Sequence, residues 1–459
     1  MGNPNAVLSD EEFWNSSEFW KQLKAFAETR TLNPWGLAMV VLTRVSFVVP
    51  ADVVVDGGLF PEDKSYAPLS LMIVCPGESG NGKGLLWSAA KRIIPDVRGG
   101  FEASAATSGE GIMAMFAVTG YETSEDGKID RSQPPFMKFV TSRAVINVDE
   151  ISALAGGAAR QGSTIIPTLL SAWSGAALGS QNKDIEKRQS VPAMGYRLCA
   201  YIGAQPAAGA LFQSGSDLGF TQRFLFAPPL PESLPESMPT EMPPMPTFDS
   251  SKLPADAPKA DWEAWYKLGI AIEPRVIHLP SEFREAFWNR RRMVMNDPKA
   301  DPLGAHENLL RARVAALLQL MDNNSFTVTS RTWALAGVII RHSNATRAAF
   351  LAAAREAVQN ARAEEIANDA AAKVKSEAIR MKEKVERVKR NLLRYLERKD
   401  PGFQGVGGQM LRRDALRSSD RDVFDEAVTQ LFEAGKLDRI GGAERDSNAD
   451  CTWAKSLMN

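Results

Sequence analysis

The sequence predicts an α/β core built on a parallel sheet, and three observations carry that prediction. Short apolar runs occur at residues 69–74 (LSLMIV), 144–148 (AVINV) and 198–202 (LCAYI), each followed by glycine or acidic residues. Such runs have the length and composition of buried strands. Helical stretches separate them, which favours parallel pairing through crossovers. A glycine-rich octet lies between the first run and a helical segment, where the chain must turn sharply from strand to helix.

The remaining segments are assigned in order. Residues 1–65 are expected to be helical. Ser9 and Glu12 form a capping-box pattern before FWNSSEFWKQLKAFAETR, and an apolar run follows at 35–49; this segment reads as a helical lid. Residues 66–227 hold the three strands. Residues 228–260 read as a connector, because ten prolines between 228 and 258 exclude helix and sheet hydrogen bonding. Residues 261–384 read as an all-α domain. From 338 to 400 there is neither glycine nor proline, so one long helix or two nearly continuous ones are expected. Residues 385–459 read as three helices (385–398, 408–416 and 421–434) followed by a small hairpin (436–440 and 451–454), the order of a winged helix.

Composition narrows the function without choosing it. The 459 residues carry 54 basic and 55 acidic side chains, a net charge of −1, so a nucleic-acid surface would have to be local. Three cysteines and three histidines lie far apart and form no metal-ligand spacing. The N-terminus lacks a basic start followed by an apolar run, and no stretch of about 18 apolar residues occurs. Neither secretion nor membrane spanning is expected, and a reducing cytoplasm fits best.

The octet Gly77-Glu78-Ser79-Gly80-Asn81-Gly82-Lys83-Gly84 fits GxxxxGK, with Leu85 continuing into a helix. Glycines let successive N–H groups curve around phosphate oxygens, the helix N-terminus favours anions, and the lysine reaches the β and γ phosphates of ATP. One position departs from the pattern: Gly84 stands where Ser or Thr would give a hydroxyl to Mg²⁺. A glycine turn with a solvated lysine is the alternative. At the end of AVINV, Asp149 is the candidate to hold Mg²⁺ through its water shell, and Glu150 to polarise the attacking water. A plain polar strand end is the other reading. Gln205, after the third run, is a candidate γ-phosphate sensor or else a helix cap. Arg223, in GFTQRF, is a candidate arginine finger donated to a neighbouring subunit, or half of an intramolecular ion pair.

These motifs occur in an order that resembles the ATPase domain of phage- and plasmid-encoded primase-helicase-type replication proteins, over about residues 10–350. The runs TSGEG (107–111) and SAWSG (171–175) and the helical segments 307–321 and 331–347 share in the resemblance. It implies a P-loop NTPase core of the RecA/AAA+ kind with bound ATP and Mg²⁺. It also implies assembly into a homo-oligomeric ring such as a hexamer, action on single-stranded or origin DNA, and priming supplied by a separate primase or polymerase.

Two basic clusters could meet that DNA. Lys183, Lys187 and Arg188 lie in a polar stretch before the third run, where a hairpin could line a pore; a solvated loop is the alternative. Arg412, Arg413, Arg417 and Arg421 flank the second and third helices of the winged unit, but Asp414, Asp420 and Asp422 are interspersed with them. That unit could equally contact protein. The leading expectation is an ATP-hydrolysing helicase. The alternative is an ATP-controlled loader or origin-binding initiator with slow hydrolysis.

Overall fold

The computed structural model describes residues 8–457 apart from 97, 106–107, 125, 131, 153, 155, 157–161, 181–188, 210, 213–218, 235, 298–303, 305 and 444–445. Its centre is a five-stranded sheet made of β1 (Met72–Pro76), β2 (Phe101–Ala103), β3 (Arg143–Val148), β4 (Arg197–Ala204) and β5 (Phe224–Phe226). The spatial order is β5-β1-β4-β3-β2, and every pair is parallel. This architecture is compatible with a Rossmann- or P-loop-like core. All eight residues of β4 are buried, as a central strand covered on both faces requires. Three of these strands match the apolar runs; the edge strands β2 and β5 go beyond them.

Register matters for the site. Ala204 pairs with Pro76, and Ile202 with both Val74 and Val148, so β1, β4 and β3 end level with one another. Whatever follows them shares one edge of the sheet.

The third N-terminal helix is part of the core and not of a lid. Ser9 and Glu12 do form the capping box of the Asp10–Trp14 helix. The Pro34–Val48 helix, however, is buried from Trp35 to Val48 and packs on the Lys83–Ile93 helix and on β4. Its side chains are apolar on nearly every face, which suits a fully enclosed helix rather than a surface one.

The chain on both sides of the proline-rich segment contributes to one core, running from Phe13 to Leu351. Val53–Asp56 pairs antiparallel with Tyr66–Pro68 and parallel with Arg275–Ile277, a strand that lies beyond the prolines. Among the described residues between Phe226 and Ser250 there is no helix or strand, as the prolines demand. Farther along the segment, the Arg98 guanidinium donates to the carbonyls of Ser250, Leu253 and Pro254. The Gly- and Pro-free stretch forms one 70-residue helix, Ser330–Lys399.

Contacts divide the chain into two compact units, Met1–Val358 and Gln359–Asn459. The second has its own core, from Val385, Val388 and Leu392 to Trp453. After Lys399 come a short Gly408–Met410 helix continued by a wide turn to Ala415, a 3₁₀ turn Ser418–Val423, and the Phe424–Glu433 helix. A three-stranded antiparallel sheet completes it, with Thr452–Lys455 between Val406–Gly407 and Leu437–Gly441. No helix among the described residues is long and apolar enough to cross a membrane.

Candidate phosphate-binding site

The glycine-rich loop leaves β1 at the level edge and enters the Lys83–Ile93 helix. Gly80 and Gly82 take φ of 87° and 77°, the left-handed region open to glycine at little cost. Gly82 is the N-cap, and no side chain caps the helix there. The first-turn N–H groups of this 11-residue helix therefore face the loop, where an anion would be stabilised. Glu78, Ser79, Gly80, Gly84 and Leu85 are exposed, and Gly77, Asn81 and Gly82 are partly so.

Lys83 folds back over its own loop. Its ammonium donates to the carbonyls of Gly77 at 2.5 Å and Glu78 at 3.1 Å, and it lies 3.9 Å from the Glu150 carboxylate. Glu150 also accepts from the Gln205 backbone N–H at 3.4 Å. Gly77 N–H donates to Ala204, which ties the loop to the end of β4. The structure thus brings Lys83, Glu150 and Gln205 together from three different strand ends, with Asp149 exposed beside them. The Gln205 side chain does not cap the 3₁₀ turn that follows it.

Three residues of this constellation escape motif reading. Tyr201 donates its hydroxyl to the Lys83 carbonyl at 2.6 Å and stacks on Trp87, which fixes the start of the helix. Gly203 lets the strand ends close up: a Cβ there would stand 2.1 Å from the Asp149 carbonyl oxygen and 3.3 Å from Lys83 Cε. Asn147, next to the last residue of β3, has a buried Oδ1 without a hydrogen-bond partner. A polar residue inside AVINV was the available signal. Beneath the loop, burial pushes the Cys75 thiol up to about 12, so it serves as packing and not as a nucleophile.

For a divalent cation, no group of three or more His, Cys, Asp or Glu side chains occurs among the described residues. Mg²⁺ does not require one, since one or two carboxylates plus phosphate oxygens and water suffice. Asp149 and Glu150 fit that requirement. At Gly84 a Cβ would meet nothing within 4 Å, so water has room where a hydroxyl is missing.

Arg223 lies elsewhere. It immediately precedes Phe224, which pairs with Met72, the first residue of β1. It therefore sits at the sheet edge opposite the loop and does not reach the glycine-rich loop of its own chain. Its guanidinium donates to the Gly219 carbonyl at 2.6 Å and lies 5.2 Å from the Trp173 ring, whose other close cation is Arg313 at 3.7 Å. Burial holds the Arg223 guanidinium below its ordinary value.

Of the basic residues expected at DNA, Lys183, Lys187 and Arg188 lie outside the described residues. Leu178–Ser180 pairs antiparallel with Gln189–Val191. In the C-terminal unit, Arg413 is held bidentate by Asp414 at 2.7 and 3.1 Å, and Arg421 donates to the Arg413 carbonyl. Arg412 donates to the Arg421 carbonyl. Arg412 and Arg417 are exposed, so the intervening acids engage part of the cluster and leave part of it outward.

No protein-family model and no curated protein matches this chain.

Proposed function

We propose that the chain is a P-loop ATPase of the RecA/AAA+ kind that works on DNA as a homo-oligomeric ring. The observation that carries this reading is the position of β4 between β1 and β3, which sets Lys83, Glu150 and Gln205 around one glycine-rich loop at one sheet edge. Bound triphosphate would take over the Lys83 ammonium from the Gly77 and Glu78 carbonyls, exchanging neutral acceptors for charged ones. Glu150 would then accept the proton of the attacking water, and Gln205 would orient that water or the γ phosphate. Mg²⁺, when bound, neutralises charge on the β and γ phosphates; Asp149 would hold it through water. Arg223, remote from its own loop, could act only on a neighbouring subunit's ATP.

ATP turnover tests the reading. Lys83→Ala should abolish ATP binding, and Glu150→Gln should keep binding while lowering turnover by a factor of about 10² to 10⁴. Acceleration by single-stranded DNA identifies a translocating helicase, whereas slow, unstimulated turnover identifies a loader or initiator. A protein that binds no nucleotide overturns the reading.

A further inference from the structure

The Ser281–Asn296 helix is anchored by one half and left uncovered along the other. Its first turns bury Glu282, Phe283 and Ala286. Phe283 packs against Trp333 with ring centroids 5.9 Å apart, and Asp56 holds the Arg284 guanidinium at 3.0 Å. From Arg291 to Asn296 every residue is exposed.

Trp288, Arg291, Arg292 and Met295 follow one another at i, i+3, i+4 and i+7, so they share one face of this helix. Trp288 is 52% exposed and Met295 79%, and the two arginines stand between them. Residues 288–296 contain three arginines and no acid. Arg290 projects from a different face, close enough to His306 to lower its imidazole. Arg291 and Arg292 are engaged by no acid among the described residues. In a chain whose net charge is −1, such an uncompensated basic turn is a local feature.

This combination suits nucleic acid whose bases are unpaired. An exposed indole stacks on any free base, and guanidinium groups take phosphate oxygens in forked pairs. Bases inside a duplex offer no free ring face, so a duplex would engage the arginines alone. A protein partner would have to desolvate two guanidinium groups against acids placed opposite both.

We propose that the face formed by Trp288, Arg291, Arg292 and Met295 binds single-stranded nucleic acid, with Trp288 stacking on a base and the two arginines on the backbone phosphates. The proposal deepens the DNA reading above and rests on it. It assigns strand contact to residues outside both basic clusters, 183–188 and 412–421.

Anisotropy titration of a labelled oligothymidylate with the full chain, repeated over a range of salt, separates stacking from charge. Trp288→Ala should weaken binding about tenfold and leave the salt slope unchanged. Trp288→Phe, which keeps a ring, should recover most of that loss. Replacing Arg291 and Arg292 together by Ala should reduce the slope of log affinity against log salt by about 1.4, two phosphate contacts on a single strand. If the wild type binds the strand and these variants keep its affinity and slope, the face is not a strand site, and the DNA reading survives. If Trp288→Ala weakens a duplex as much as the single strand, stacking on a base is overturned. Failure of the wild type to bind single-stranded DNA overturns the proposal and the DNA reading together.

Discussion

At Gly84 the Lys83–Ile93 helix begins without a side chain, its backbone is outside the left-handed region, and a Cβ would meet no heavy atom within 4 Å. Serine should therefore fit there, raising helix propensity by roughly 0.5 kcal/mol over glycine. If Mg²⁺ sits beside this turn, Gly84→Ser should also lower the Mg²⁺ concentration needed for half-maximal ATP turnover. An unchanged Mg²⁺ requirement would place the cation away from residue 84. A second residue-scale expectation concerns His306, whose imidazole is lowered to about 4 by burial and by the neighbouring Arg223, Arg313 and Arg290. The folded state then binds fewer protons than the unfolded one between about pH 4 and 6.5. That makes stability fully present above pH 6.5 and progressively lost as pH falls toward 4. Melting temperatures across this window should fall more steeply for the wild type than for His306→Gln, and parallel curves would remove the histidine from the account.

The element that positions the site is the buried Pro34–Val48 helix, and two arginines hold its C-terminus. Arg143, at the start of β3, donates to the Phe47 and Val48 carbonyls; Arg197, at the start of β4, donates to those of Ser46, Val49 and Val53. Cations at this end satisfy the orphan carbonyls of the last turn and oppose the negative end of the helix dipole. Burial is costly enough to lower Arg197 to about 10, so the carbonyls must supply most of the compensation. Arg197→Met should leave several buried carbonyls unpaired and destabilise the protein by about 3 kcal/mol, measurable by urea unfolding. A loss below about 0.5 kcal/mol would mean that the helix end is solvated instead. These arginines show where sequence reading stops. LCAYI and AVINV announce β4 and β3 through their apolar, β-branched composition, and GxxxxGK announces the loop. Nothing local says that Arg143 and Arg197 stand side by side in register, because that follows from which strands pair. Gly203 likewise reads as a strand terminator until β4 is laid beside β3. The edge strands β2 and β5 have three residues each, too few for a period, and their pairing with β3 and β1 is a tertiary outcome.

At the scale of the whole molecule, the distribution of core residues sets how the chain comes apart. Two separate apolar clusters end near Leu351 and begin again at Val385, and residues 359–383 between them are exposed throughout. A helical stretch without a buried face depends on propensity alone, which is marginal in water over such lengths. It should open more readily than either core, and opening exposes the backbone to proteases. Arg362, Lys373, Lys375, Arg380 and Lys382 lie within this stretch, so limited trypsin digestion should cut there first and leave two resistant fragments. If the first cut fell inside residues 34–350, the Met1–Val358 unit would not be the more stable part. If no cut occurred, the exposed stretch would have to be covered by another chain, and digestion at decreasing protein concentration would reveal that by restoring cleavage as the assembly dissociated.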